Sequence, residues 1–305
     1  MGTTYNIKYV PSKSFPVNKE RVHKKVEEIL INFNKVASTY DPHSEISKIN
    51  QAVEGQVIKL SRTLKILVAE AFEMNKLSQG VFDPSLSPLI NLWGFGHKGR
   101  RAKAPSLDEV RVAQSYCGMK NFNFDGENLT KLNSGSELDF SAFAKGYGVD
   151  LVVLYLESLQ MDDYFVEIGG EIKTRSKLKQ WKIGIESPDL NNFQGVTKIL
   201  PLNNGALATS GDYRNFYNDG GKKYSHGIDF STGKPVENEI ASVSVHDANS
   251  TMRADAWATA LLVSTSLSQA KELLTKNNLA AFIIFRDNGG FKVFESKRWQ
   301  EEFNK

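Results

Sequence analysis

Apolar and polar positions along this chain follow two periods that replace one another every few dozen residues. Residues 4–10 alternate, as a half-buried strand does. Over residues 17–36, Val22, Val26, Ile29, Leu30 and Phe33 recur at helical spacing with charges between them, which predicts an amphipathic helix. Residues 61–78 read as a second such helix ending near Gly80, and 142–159 as a third. Strands are predicted at 164–168, 181–186, 206–210 and 241–246, followed by a helix from near Asp255 through Leu262 and another over 267–274. The apolar stretches 282–285 and 291–294 flank Asp287-Asn288-Gly289-Gly290, a hairpin signal, because such residues supply the positive φ that a two-residue turn requires. Residues 38–47, broken by Asp41-Pro42, and the glycine-bearing stretch 91–105 read as loops. Strands come in runs with helices between them, and no repeat or low-complexity linker interrupts the pattern. The expectation is α+β: one domain over 1–305, with mixed or antiparallel sheets flanked by helices and an outline that allows two lobes.

Composition narrows the field only a little. The 305 residues are 40% hydrophobic and 24% charged with a net charge of +3, enough for a large core. The small, dispersed positive charge argues against a nucleic-acid partner. A single cysteine, Cys117, excludes an internal disulfide and a cysteine metal cluster. No run of 18 apolar residues is present, and the N-terminus leads straight into a strand pattern with no signal-peptide character. That start fits a mature or trimmed form and leaves the compartment open.

Candidate chemistry is scattered through the chain. Asp255 and Thr259 lie four apart on a predicted helix and so share a face, offering a carboxylate and a hydroxyl to a hard cation such as Mg²⁺. The same Asp near a helix start also reads as a cap or dipole partner. Gly80-Val81-Phe82-Asp83-Pro84 could hold the polar edge of a heterocycle, and equally reads as a helix C-cap with a turn. The stretch from Asp139 to Gly148 crosses from strand to helix with small residues that let a ligand approach the backbone, and Lys145 offsets phosphate charge there; tight helix packing explains it as well. His226, within Tyr224–Gly233, is a candidate general base, whereas His23, His43 and His246 read as surface or packed residues. The basic residues of 91–105 suggest either a phosphate-facing or a solvated loop.

Taken in order, these segments resemble the ApbE family of FAD:protein FMN transferases over nearly the whole chain. The matching elements are Met1-Gly2-Thr3, Ser38-Thr39-Tyr40-Asp41-Pro42 with Ser44-Glu45-Ile46-Ser47, Gly80 to Pro84, Leu92-Trp93-Gly94-Phe95-Gly96, Ala144-Lys145-Gly146-Tyr147, Gly169-Gly170, Ala208-Thr209-Ser210-Gly211, the His226 segment, and Asp255 to Thr259. The chain departs from the family pattern at Ala37, Ser141, Gly227 and Phe230. The resemblance implies cleavage of FAD, as substrate, at its pyrophosphate, with FMN passing to a Ser or Thr hydroxyl of an acceptor flavoprotein and AMP leaving. It implies Mg²⁺ held by Asp255, Thr259 and the Ala144 carbonyl, with Ala258 close by. It assigns His226 as base with Asp229 assisting, and FAD contacts at Ala37, Val81, Phe82, Asp83, Ser141, Tyr147 and Ile228, joined by Asp139 and Lys145. An FAD pyrophosphatase and a non-enzymatic FAD-binding protein are the rival readings. The resemblance further implies a periplasmic or extracytoplasmic location, with a lipid anchor at the inner membrane in a full-length form.

Overall fold

A computed structural model describes residues 2–11, 18–101, 103–178, 180–188, 195–213, 216–219 and 222–304. Its frame is a seven-stranded sheet in the order Tyr5–Val10, Asp163–Ile168, Glu171–Arg175, Asn204–Gly211, Ile240–Asp247, Ala280–Asp287 and Gly290–Glu295. Every neighbouring pair in it is antiparallel. The fold class is therefore α+β, as the alternation of patterns predicts. The Asp287–Gly290 turn closes the last hairpin with Asn288 at φ 47° and Gly289 at φ 80°, the conformation that its sequence demands.

Both faces of the central strands are covered, and the strand period divides their residues between two cores. In Ala280–Asp287, Ala281 and Ile283 join the large core while Ala280, Phe282 and Ile284 join a second one around Trp299. That is why this stretch reads as a continuous apolar run rather than an alternating one. A third cluster packs Tyr164, Val166 and Ile168 against Val149, Val152, Val153 and Leu156 of the helix Ser141–Ser158, and against Val22, Val26 and Leu30 of the helix Lys19–Ala37.

The helix Thr251–Leu262 lies at the centre, and ten of its twelve residues are buried. A helix apolar on all sides belongs inside, and its alanines let neighbours approach closely. It crosses the Ser141–Ser158 helix at Gly146, where an added Cβ would lie 2.4 Å from the Thr251 carbonyl oxygen. Asp150 of one helix also caps the other, accepting hydrogen bonds from the Thr251 and Met252 amides at 3.0 Å. The two helices are thus locked by a bare backbone contact and a shared cap. Among the described residues, no helix is long and apolar enough to cross a membrane.

Candidate active site

A cleft of about 420 Å³ opens where the Ser141–Ser158 and Thr251–Leu262 helices meet the sheet, a volume in the range of ligand pockets. Its lining brings together Val81, Phe82, Asp83, Asp139, Ser141, Lys145, His226, Ile228, Asp255 and Thr259, all of them named from the sequence although they lie far apart in it. Ala37, Ala144, Tyr147, Asp229 and Ala258 are not in that wall. Tyr147 is buried and packs edge-on against Phe33 with ring centres 5.5 Å apart. Asp229 accepts from the Ser231 amide and hydroxyl, both at 2.8 Å, and from the Thr232 hydroxyl at 2.9 Å, so its carboxylate tightens the turn that follows it.

Asp255 is only 2% exposed. The helix that carries it starts four residues earlier, with Ser250 as N-cap accepting from the Arg253 amide at 3.1 Å. Asp255 therefore sits in the second turn, and its reading as a cap or dipole partner does not hold. The first-turn amides are occupied too, by Asp150. Asp255 instead accepts from the Gly146 amide at 2.9 Å, and the Lys145 ammonium lies 3.7 Å from its other oxygen. Thr259, one turn on, hydrogen bonds with the Ser210 hydroxyl and donates to the Ala142 carbonyl, both at 3.2 Å. The carbonyl that Thr259 reaches is thus two residues before that of Ala144.

Lys145 has a closer partner that sequence reasoning missed. Glu171, 2% exposed, accepts from the Lys145 ammonium at 2.6 Å. Its second carboxylate oxygen is buried with no hydrogen-bond partner among the described residues, and the residue lines the cleft. Burial, with repulsion from Asp255, raises the Glu171 carboxyl above its ordinary value in spite of Lys145. Burial also raises Asp255. It works against the Lys145 charge, but Asp255 and Glu171 outweigh it and hold the ammonium above its ordinary value.

Elsewhere in the lining, Asp83 accepts from the Ser85 amide at 2.8 Å and its hydroxyl at 2.6 Å, and burial nevertheless keeps its carboxyl above the usual range. Asp139 accepts from the Ser141 amide at 2.7 Å and from its hydroxyl at 2.5 Å. Phe82 is fixed against Phe143 at 5.7 Å between ring centres. Tyr40 lines the cleft yet is 70% exposed, which presents a planar face at its rim. It lies within the Ser38–Pro42 motif, so the signal was there. His226 is half-buried in the wall, and its ring centre is 6.4 Å from that of Phe95. The 91–105 stretch turns out to be partly core: Trp93 is buried and donates to the Gly233 carbonyl at 2.8 Å. Its Lys98 pairs with Glu137 and its Arg101 with Glu109, each at 2.9 Å.

The donors toward a cation are all hard oxygens: the Asp255 carboxylate and the Thr259 hydroxyl, with the orphaned Glu171 oxygen nearby. Among the described residues, no group of three or more His, Cys, Asp or Glu is arranged to hold a metal. One carboxylate with one hydroxyl suits Mg²⁺, which keeps waters and takes substrate phosphate oxygens as its remaining ligands, and would not suit Zn²⁺.

Buried, mutually perturbed acid and base groups in a cleft cluster at functional sites, and comparison with known proteins gives the class, a transferase. The family model described as the ApbE family matches residues 1–283, and the chain belongs to that family. A Haemophilus influenzae protein named FAD:protein FMN transferase is 37% identical, the alignment covering 99% of this chain and 89% of the relative. Its Vibrio cholerae namesake is 35% identical, with 100% and 91% covered. Among solved structures, the flavin transferase ApbE from Vibrio cholerae superposes with a TM-score of 0.91 at 35% identity, covering 99% of this chain and 96% of that one. The apo flavinyl transferase ApbE from Pseudomonas stutzeri gives 0.91 at 37% identity, covering 100% and 95%.

Proposed function

We propose that this protein transfers FMN from FAD to a Ser or Thr hydroxyl of an acceptor flavoprotein and releases AMP. The observation that carries the reading is the buried Asp255 with Thr259 one turn away, beside Lys145, in a cleft whose lining also holds His226, in a chain related to proteins of that name. Phosphoryl transfer asks mainly for positioning and charge neutralisation, and these residues provide both. Asp255 and Thr259 would hold Mg²⁺, which when bound neutralises charge on the pyrophosphate. Lys145 adds a fixed positive charge on the same side. His226 accepts the proton of the attacking hydroxyl as the new phosphoester bond forms and the bond between the two phosphates breaks, with AMP as leaving group. Tyr40 and Phe82 offer apolar faces to the flavin, and Asp83 and Asp139 offer acceptors to its polar edge.

The test mixes protein, FAD, Mg²⁺ and a candidate acceptor and seeks the acceptor carrying FMN by mass. Asp255→Ala should abolish that product, because it removes the carboxylate donor of the metal site; undiminished flavin fluorescence of the acceptor in a gel with this variant would refute the assignment. AMP formation at full rate without an acceptor would instead identify a pyrophosphatase, and intact FAD under all conditions a binding protein. We further propose, from the family resemblance, an extracytoplasmic site of action, which fractionation of cells carrying the full-length protein will check.

A further inference from the structure

We propose that Glu171 is a positioning residue that sets the metal affinity of the cleft by drawing the Lys145 ammonium off Asp255; this rests on the reading of Asp255 as the metal-holding carboxylate. Lys145 faces two carboxylates and sits unequally between them, 2.6 Å from Glu171 and 3.7 Å from Asp255. An ammonium in full contact with Asp255 would occupy the oxygen that a divalent cation needs and would repel that cation at short range, where a low dielectric makes like charges costly. Glu171 removes the competitor without removing its charge from the cleft.

The surrounding backbone is built for this arrangement. Glu171 opens a strand immediately after the two-residue turn Gly169–Gly170, whose φ values of 63° and 103° need glycine, and it pairs with Ile168 across that turn. Its carboxylate is therefore placed by the sheet register rather than by a mobile loop. Gly169 has a second role. A Cβ there would stand 3.2 Å from Lys145 Cδ, so the lysine stem runs over bare backbone on its way to Glu171. Among the described residues the second oxygen of Glu171 has no hydrogen-bond partner, and a buried ion pair with an unsatisfied lone pair contributes little stability.

Binding of Mn²⁺ alone, followed by electron paramagnetic resonance, tests the idea in the intact protein without reference to turnover. Asp255→Ala should lose binding, and Glu171→Met, which keeps the volume but removes the acceptor, should weaken it by at least about tenfold, the usual cost of losing a residue that supports a ligand from behind. Glu171→Gln should fall between Glu171→Met and the wild type. The deciding measurement is the double-mutant cycle with Lys145→Met. If Glu171 acts through Lys145, replacing it in that background should change affinity by less than about threefold, because the competitor is already gone. Wild-type affinity in Asp255→Ala would overturn the metal reading itself. Loss in Asp255→Ala with wild-type affinity in Glu171→Met, or an undiminished loss in the Lys145→Met background, would overturn the role of Glu171 alone. Should Glu171→Met not fold, Glu171→Gln carries the same comparisons.

Discussion

The thiol of Cys117 is buried, and burial, aided by the charges of Asp83 and Glu137 against one backbone hydrogen bond at Leu89, pushes it up to about 12. The nucleophile is the thiolate, and a raised pKa keeps the group protonated, so at pH 8 only about one molecule in ten thousand would carry it. A colourimetric thiol reagent should therefore find no reactive group in the native protein at pH 8 and one equivalent after denaturation; fast native labelling would contradict the burial. At this scale the sequence was readable where chemistry and spacing coincide. Asp255 and Thr259 are recognisable because helical periodicity alone puts them on one face. Glu171 was not, because its meeting with Lys145 depends on a turn, a strand register and a helix that lie outside any local window. The resemblance makes Asp229 an assistant to the base and Tyr147 a flavin contact; in this chain Asp229 accepts hydrogen bonds from Ser231 and Tyr147 packs on Phe33.

At the level of elements, the crossing of the Ser141–Ser158 and Thr251–Leu262 helices sets the spacing between Lys145 and Asp255. Gly146→Ala puts a methyl 2.4 Å from a backbone oxygen that has no side-chain freedom to retreat. We expect it to destabilise the fold by about 1–3 kcal/mol, the cost of overpacking. It should also move Asp255 relative to Lys145, so denaturant midpoints and metal affinity should fall together; an unchanged midpoint would mean that the helices can separate freely. The strongly periodic helices were legible to within a few residues: 61–78 is Arg62–Leu77 and 142–159 is Ser141–Ser158. The central helix begins four residues before Asp255, where the pattern places its start, because Thr251 to Ala254 carry no apolar stripe of their own and only the cap at Ser250 marks the start. The short strands Val57–Lys59, Phe122–Phe124 and Asn128–Lys131, which pair with one another, escaped because three or four residues are too few to show a period.

For the molecule as a whole, the family match stops short of one large side chain at the heart of the second core. The match ends at residue 283, yet Trp299, on the helix Lys297–Phe303, is fully buried against Phe282 and Phe303 at 5.6 and 4.6 Å between ring centres. Trp299→Ala should cost about 3–5 kcal/mol, the usual range for emptying a large aromatic from a core. Thermal unfolding will check it, and a loss below 1 kcal/mol would show that the second core is dispensable. The cleft itself draws its wall from Tyr40 at one end of the chain to Val263 near the other. A nascent chain emerging from the ribosome consequently carries the flavin-facing residues early, but Asp255, Thr259 and His226 complete the cleft only when its last third has been synthesised. A metal ion held by Asp255 and Thr259 therefore cannot template the earlier steps of folding.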